Sequence, residues 1–214
     1  MSKFFFFLFG FVFIAAAISS LNTTDATSKA PEPVTEEDCA TSPDGNVHCC
    51  FLNMPQTLTN RMNIADSAEA GKRILISGVV YKADGKTPYP NVIIYAYHTD
   101  NTGHYSKRGD ETGIQKWHGH LHGWCRTNDK GEYEIASIRP MPYPSGGIPA
   151  HIHAVVREPN EKNPYYINDF VFSDDPLVTG KYITNEPEPG GTGVVTLTEK
   201  NGVWVGVRDL ILKD

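Results

Sequence analysis

The sequence predicts an all-β protein, an antiparallel β-sandwich with long loops that carry the functional residues. From Arg73 onward, short runs of β-branched and aromatic residues alternate with turn signals such as Asp84-Gly85 and Asn128-Asp129-Lys130-Gly131. No segment of this body repeats apolar residues with a long helical period. Short strands separated by turns are typical of two antiparallel sheets packed face to face.

The apolar runs predict the strands in chain order, because each run is short, rich in strand-forming residues and bounded by polar or turn residues. They are Ile74–Val80, Val92–Tyr97, Tyr133–Ile135, His151–Val156, Ile167–Phe172, Val194–Leu197 and Val203–Leu212. A short helix is predicted only at Met62–Ala70. Two long connections, Thr99–Trp124 and Pro140–Pro149, are predicted to be functional, as long loops in compact domains often are.

Composition and charge limit the classes of function. The chain has 214 residues, of which 40% are hydrophobic and 21% charged, which is enough for one domain with a sizeable core. A net charge of -6 argues against a nucleic-acid partner, because phosphate binding requires a basic surface. The chain divides into residues 1–20, a signal peptide; 21–72, a tether with a cysteine-containing segment; and 73–214, the sandwich body.

The first twenty residues have the three parts of a secretory signal peptide. Met1-Ser2-Lys3 is short and positive, Phe4–Ala17 is apolar and uncharged, and small residues follow at Ser19-Ser20. The alternative is an uncleaved membrane anchor, for which this apolar run is short, since a span needs about 20 residues. We therefore expect a secreted or periplasmic protein, with Asn22-Thr23-Thr24 as a glycosylation sequon if the host is eukaryotic.

Four cysteines are expected to form disulfides in an oxidising compartment. Cys39, Cys49 and Cys50 cluster, while Cys125 lies far downstream. Adjacent Cys49 and Cys50 are expected to take different partners, and the sequence leaves the pairing open. A zinc site is the alternative, but adjacent cysteines do not match the usual zinc spacings.

Two histidines and two tyrosines form a candidate metal site. His151 and His153 are two residues apart in a predicted strand, so both side chains project from the same face. Tyr143, on a turn braced by prolines, is a candidate third ligand, and Tyr105 a fourth. Imidazoles alone do not choose among Fe, Cu, Zn and Ni, but phenolate oxygens favour Fe(III), which can displace the phenol proton.

Each of these residues also has a structural explanation. A His-x-His pair on a strand is common at surfaces, Tyr143 could brace a turn, and Tyr105 could anchor a loop. A copper or zinc site on a different set of histidines is a further alternative: His104, His118, His120 and His122.

A further pattern joins these residues to others in a fixed order along Gly78–Leu177, about half of the chain. The stretches are Gly78-Val79-Val80 with Asp84-Gly85, Tyr97–Tyr105, Arg126–Tyr133, Ile138–Pro140 through Tyr143-Pro144, Pro149–His153 and Phe172–Leu177. The joint pattern resembles the catalytic domain of the intradiol ring-cleavage dioxygenases, of the catechol and protocatechuate type. The number and order of the matches make this resemblance specific, where a His-x-His pair alone would not be.

The resemblance implies an enzyme with a non-haem Fe(III) held by Tyr105, Tyr143, His151 and His153. It further implies that a catechol binds the iron as a dianion and displaces Tyr143, and that this tyrosine or a hydroxide ligand takes up the substrate's protons. O2 then attacks the ring, which opens between the two hydroxylated carbons to give a muconate-type diacid. Tyr105 and Tyr143 would thus be catalytic as well as metal-binding residues.

The chain departs from the family pattern near the histidine pair. Family members usually carry an arginine where this chain has Ile148, and their preceding loop is longer than the one here, which contains Gly146-Gly147. Arg126 or Arg139 is a candidate replacement for that positive charge. A polar residue near the metal, often Gln in the family, aligns with Asp169.

The expected partners are a small catecholic substrate and O2, and open sheet edges would allow a homodimer. Two rival classes remain. One is a non-catalytic prealbumin-like binding module, which would not explain why Tyr105, Tyr143 and the His pair occur together. The other is the histidine-rich copper or zinc protein, for which changing Tyr143 would leave metal affinity intact.

Overall fold

A computed structural model describes residues 1, 34–41, 46–160, 163–180 and 189–213. All elements below belong to the unit Pro33–Asp214. The predicted signal peptide, apart from Met1, the first part of the predicted tether and the sequon lie outside the described residues. None of the helices within these ranges is long and apolar enough to cross a membrane.

Two β-sheets pack face to face, which confirms the predicted all-β sandwich. The strands are β1 Arg61–Asn63, β2 Arg73–Tyr81, β3 Ile93–His98, β4 His122–Arg126, β5 Glu132–Ile138, β6 His151–Arg157, β7 Tyr165–Phe172, β8 Val194–Val195, β9 Thr198–Lys200, β10 Val203–Val207 and β11 Leu210–Ile211. One sheet has the order β1-β5-β2-β10-β9, with β11 beside β2, and the other has the order β4-β3-β6-β7-β8.

The long central strands pair in the predicted antiparallel sense. This holds for β2 with β5, β3 with β4 and β6, and β6 with β7. Four further pairings are parallel and involve short strands: β1 with β5, β10 and β11 with β2, and β8 with β7. β1 adds residues from before Arg73 to the first sheet.

The main core lies between the two sheets, and β3 shows how a second layer covers the outside. Ile94 and Ala96 of β3 belong to the core between the sheets. Tyr95 and Tyr97 alternate with them and point to the outer face. There they pack with Phe51 and its neighbours from the N-terminal segment. β3 is therefore buried along its whole length, and the outer face of its sheet can hold buried side chains.

The helices are short and peripheral, as the absence of a helical period predicts. They are α1 Glu36–Ala40, the 3₁₀ helix Val47–Phe51 and α2 Gln115–His118. The Thr35 side chain caps the backbone N–H of Asp38, and the Asp38 carboxylate accepts from the Thr35 N–H in return.

The predicted helix at Met62–Ala70 is wrong. Arg61–Asn63 forms β1, and the following residues are turns closed by Asp66, whose carboxylate accepts from the N–H groups of Ala68 and Glu69. The reason is visible in the burial: Met62 and Ile64 are buried on either side of an exposed Asn63, which is the two-residue period of a strand.

One disulfide forms, between Cys39 and Cys49. The expectation that adjacent Cys49 and Cys50 take different partners is met only for Cys49, because Cys50 has no disulfide partner. Cys50 and Cys125 are buried free thiols, so a second disulfide, which four cysteines would allow, does not form. They lie on opposite faces of the same sheet: Cys125 is in the core between the sheets, and Cys50 is in the outer layer.

His98, at the end of β3, is a buried histidine held neutral. Nδ1 lies 2.7 Å from the Thr99 carbonyl, which can only accept, so Nδ1 carries the proton. Nε2 then accepts from the Ser137 hydroxyl at 2.7 Å. Burial lowers the pKa of His98 from 6.5 to about 4.

We predict that His98 makes the fold sensitive to acid. The pKa of His98 is lower in the folded than in the unfolded state, so on acidification the unfolded chain takes up the proton first. The free energy of unfolding is therefore unaffected by this histidine above about pH 6.5 and falls as the pH is lowered toward 4. His98→Gln keeps a donor and an acceptor but does not titrate. Urea unfolding measures the drop in the free energy of unfolding between pH 7 and pH 4.5. This drop should be smaller in the variant than in the wild type by up to about 3 kcal/mol.

His48→Gln is the matched control, because this half-buried histidine lies in the peripheral 3₁₀ helix, and it should leave the acid-induced loss of stability unchanged. His118, whose pKa burial also lowers, to about 3, should preserve part of the slope in both variants. Equal slopes in the wild type and His98→Gln would contradict the prediction.

Candidate metal centre

β6 brings the two histidines together on the outer face of its sheet. Ile152 and Ala154 point into the core between the sheets, which leaves His151 and His153 on the opposite face. Their Nε2 atoms lie 3.0 Å apart. His151 is 5% exposed, while His153 is half-buried.

Two loops bring the tyrosines to the same point. The Tyr143 hydroxyl lies 3.3 Å from Nε2 of both His151 and His153. The Tyr105 hydroxyl lies 2.5 Å from that of Tyr143. The structure thus brings together the four side chains that the sequence singles out, with their donor atoms directed at one another.

The hydrogen bonds of the outer ring nitrogens determine which tautomer each histidine adopts. Nδ1 of His151 donates to the Pro149 carbonyl at 2.7 Å, and Nδ1 of His153 donates to Asp169 Oδ1 at 2.9 Å. Both Nε2 atoms therefore present lone pairs to each other at 3.0 Å. Two acceptors at this distance repel unless a cation or a donated proton lies between them.

Asp100 braces the loop that carries Tyr105. Its Oδ1 accepts from the backbone N–H and hydroxyl of Thr102 and from the N–H of His104, and its Oδ2 accepts from the Ser106 hydroxyl. Burial opposes ionisation, but these hydrogen bonds prevail and lower the pKa of Asp100 to about 2. The Tyr105 loop is therefore tightly held on both sides of the tyrosine.

The two tyrosine loops are also tied to each other. The Thr99 hydroxyl donates to the Met141 carbonyl at 2.7 Å, and the Met141 N–H donates to the Asp100 carbonyl at 3.2 Å. At Gly103, where φ is +84°, a Cβ would lie 2.3 Å from the Pro142 carbonyl oxygen. This close approach needs a glycine.

An aromatic layer supports the histidine pair from below, and the sequence analysis missed it. Tyr97 of β3 lies directly opposite His153 in the pairing with β6 and stacks on it, with ring centroids 4.7 Å apart. His118 stacks on Tyr97 at 3.5 Å and 5° and contacts the Tyr95 hydroxyl through Nδ1 at 2.9 Å. The alternation of Tyr95 and Tyr97 in a β-strand could have indicated this layer.

Comparison with known proteins identifies the family. Residues 50–202, more than two thirds of the chain, match the family model described as Dioxygenase, and solved catechol 1,2-dioxygenases share the fold. The chain belongs to the intradiol ring-cleavage dioxygenase family. This membership favours a dioxygenase over the prealbumin-like binding module.

Solved structures share the fold of this chain at low sequence identity. The dioxygenase domain of a dioxygenase–carbohydrate-binding protein fusion from Streptomyces sp. SirexAA-E has a TM-score of 0.56 at 19% identity, over 75% of this chain and 92% of that one. Catechol 1,2-dioxygenase from Acinetobacter sp. ADP1 has 0.53 at 21%, over 72% and 57%. Hydroxyquinol 1,2-dioxygenase from Pseudomonas putida DLL-E4 has 0.52 at 18%, over 76% and 62%.

Burial shapes the acid–base state of the centre in this dioxygenase. It raises the pKa of Tyr105 and of Tyr143, and the charge of Asp169 adds to the effect at both. It lowers the pKa of His151, and His153 adds to that effect. Neutral tyrosines and a neutral His151 are therefore the stable forms of the metal-free site, and a bound trivalent cation would displace the phenol protons.

The other histidines do not converge on an alternative centre. His120 is held by the Ser106 carbonyl and by Glu69, at 2.8 Å each, and His122 Nδ1 donates to the Gly119 carbonyl at 2.8 Å. Within the described ranges, the one group of His, Cys, Asp and Glu side chains able to meet at an ion is His151, His153 and Asp169. Asp169 contacts Nδ1 of His153, so it braces that ring from the side away from Nε2.

The two candidate arginines do not replace the missing cation at Ile148. Arg139 forms a double hydrogen bond with Asp174, at 2.7 Å each. Arg126 pairs with Ile93 in β3, four residues along the strand from Tyr97, the neighbour of His153. Four residues of a strand separate the two backbone positions by about 13 Å.

We predict that Gly103→Ala disrupts the contact between the two tyrosine loops. The added methyl group collides with the Pro142 backbone at 2.3 Å, one residue from Tyr143. We expect the free energy of unfolding to fall by about 2 kcal/mol or more, with reduced metal content in the purified protein. Chemical denaturation and elemental analysis measure the two effects.

Gly146→Ala separates the collision from the conformational cost. Gly146 has a similar φ of +71°, but nothing lies within 4 Å of an added Cβ, so this variant should lose only about 1 kcal/mol and keep its metal. Equal losses in the two variants would show that the close approach at Pro142 does not hold the loops together.

Proposed function

We propose that this protein is a non-haem Fe(III) dioxygenase that cleaves a catechol with O2 between its two hydroxylated carbons. One observation carries the proposal: four donor atoms converge on one point. They are the Nε2 atoms of two histidines whose Nδ1 atoms already donate hydrogen bonds, and the oxygens of two phenols, and neighbouring atoms in this group lie 2.5–3.3 Å apart. The repulsion between the facing lone pairs is relieved by a shared cation. The residues present therefore fit a bound metal ion.

The donor set favours ferric iron over the other metals that imidazole binds. Tyr105 and Tyr143 offer hard, anionic oxygens once deprotonated, and these suit a trivalent ion. His151 and His153 complete a four-ligand set that leaves room for substrate. When bound there, Fe(III) would draw electron density from a coordinated catecholate and make the ring reactive toward O2.

Tyr143 is the residue placed to exchange with substrate. It lies on the loop whose next residues, Pro144 to Ile148, are exposed, so this ligand can swing away while the strand-borne histidines stay in place. On release, its phenol oxygen would receive a proton from a catechol hydroxyl. Tyr105, on the tightly braced loop, would remain bound to the metal.

The substrate class rests on the family and on the printed names of related structures. Two of these are a catechol and a hydroxyquinol 1,2-dioxygenase, of which this chain spans 57% and 62%. Their substrates share a ring with two adjacent hydroxyl groups. Ring opening with both atoms of O2 gives a muconate-type diacid, and no reductant is needed, because the four electrons taken by O2 come from the ring.

We further propose that the protein acts outside the cytoplasm, in a periplasm or the extracellular space. The supporting observations are the signal-peptide pattern of residues 1–20 and the Cys39–Cys49 disulfide, which persists in oxidising compartments. A catechol present outside the cytoplasm, such as a plant phenolic or lignin fragment, would then be the substrate. A homodimer stays a prediction.

The test is the iron content and visible spectrum of the purified protein, with Tyr143→Phe and the control Tyr81→Phe. We expect a broad visible band from tyrosinate-to-Fe(III) charge transfer, weaker and shifted in Tyr143→Phe because one phenolate is lost. Cleavage of catechol should fall about 100-fold or more in that variant, since it lacks the proton acceptor. Tyr81→Phe, on the other sheet, should match the wild type.

A protein that stays colourless and iron-free after iron is supplied aerobically would overturn the proposal. An unchanged spectrum in Tyr143→Phe would remove this tyrosine from the ligand set and return weight to the copper or zinc alternative.

A further inference from the structure

A β-bulge directs Asp169 toward the metal centre. In the pairing of β6 with β7, Ile152 lies opposite Phe170, but Ala154 lies opposite Ile167. One residue of β6, His153, therefore faces two residues of β7, Asn168 and Asp169. Ile167 and Phe170 both point into the core, and the extra residue between them frees Asp169 to face outward.

The bulge is held in place from behind. Nη2 of Arg208 donates to the Asn168 carbonyl at 2.8 Å and to the Gly190 carbonyl at 3.1 Å. At Gly193 a Cβ would lie 2.3 Å from the Asp169 carbonyl oxygen, so the neighbouring chain packs directly against the bulge. These contacts fix the bulge, and the bulge in turn sets the direction of the Asp169 side chain.

The Asp169 carboxylate holds one ring nitrogen of His153 and adds a negative charge beside the centre. Its Oδ1 accepts from His153 Nδ1 at 2.9 Å. A substrate bound at the four donor atoms would lie within the field of this carboxylate.

Arg208, Arg126 and Arg139 do not offset this charge from the substrate side. Arg208 lies behind the bulge and its charge acts on Asp169, but it is 5% exposed and lies on the ring of Phe170 in the core, where a substrate cannot contact it. Arg139 is engaged by Asp174, the backbone of Arg126 lies about 13 Å along the sheet, and the chain has Ile148 where the family pattern usually has an arginine.

From this charge distribution, and resting on the proposed function, we infer that the centre selects catechols that carry no acidic substituent, and that Asp169 enforces the selection. A ring carboxylate would approach the Asp169 carboxylate, and neither Arg208 nor Arg139 lies on the substrate side to shield the two charges from each other. Repulsion at a separation of several ångströms in a partly buried site weakens binding about tenfold or more. A neutral substituent of similar size meets no such repulsion.

The experiment measures binding without turnover. The iron-loaded protein is titrated anaerobically with catechol, 4-methylcatechol and 3,4-dihydroxybenzoate, and the change in the visible band gives each dissociation constant. For the wild type we expect catechol and 4-methylcatechol to bind alike and 3,4-dihydroxybenzoate to bind about tenfold or more weakly. The methyl compound controls for size at the position that carries the carboxylate.

Two variants assign the effect to charge at the site. Asp169→Asn keeps an acceptor for His153 Nδ1 but removes the charge. It should reduce the gap, the ratio of the dissociation constants of 3,4-dihydroxybenzoate and 4-methylcatechol, about tenfold. Ile148→Arg adds a cation three residues before His151 and should also reduce the ratio of the two dissociation constants. Asp129→Asn removes an equal charge from an exposed turn away from the centre and should leave the gap unchanged.

The outcomes separate this inference from the proposed function. Equal binding of the methyl and carboxylate compounds by the wild type would overturn the inference while leaving the dioxygenase proposal intact. An unchanged gap in Asp169→Asn with normal iron content would also overturn Asp169's role. If that variant loses iron, Ile148→Arg decides, and an unchanged gap there overturns the inference. If no catechol alters the spectrum, the proposed function itself fails.

Discussion

The facing Nε2 lone pairs of His151 and His153 are the constraint on which the rest of the centre depends. Strand alternation places both rings on one face, and the Pro149 carbonyl and Asp169 each hold an Nδ1 proton. The rings therefore cannot relieve their repulsion by changing tautomer. Whatever fills the space between them must be positively charged or donate a proton, and the Tyr143 hydroxyl, 3.3 Å from both nitrogens, is placed to donate one.

The two imidazoles keep this orientation because the outer face of the sheet is covered. Tyr97 stacks on His153 from β3, and the N-terminal segment packs Phe51 against Tyr95 in the same layer. The indole N–H of Trp124 donates to the Cys50 carbonyl at 2.7 Å, which ties that segment to β4. Aromatic contacts of this kind add about 0.5–1.5 kcal/mol each beyond the area they bury. A sheet face open to water would leave the imidazoles solvated and their orientation free.

The two tyrosines differ in how firmly they are held, and the difference fits their proposed roles. Tyr105 follows a turn closed by several hydrogen bonds to one carboxylate, that of Asp100. Tyr143 sits on a loop anchored at its start, through Met141, and exposed beyond Pro144. In the proposed function, a rigid ligand beside a releasable one would allow substrate to enter while the metal stays bound.

The sequence by itself determined the sandwich class, the longer strands and the four candidate ligands, because alternation and residue chemistry are local properties that survive without knowledge of the partners. Tertiary structure alone decided the pairing of Cys39 with Cys49, the strand at Met62 in place of a helix and the parallel pairing of the short strands. It also decided that Asp169 faces the centre. Each of these depends on which strand lies opposite, and a single bulge reverses the side to which a residue points.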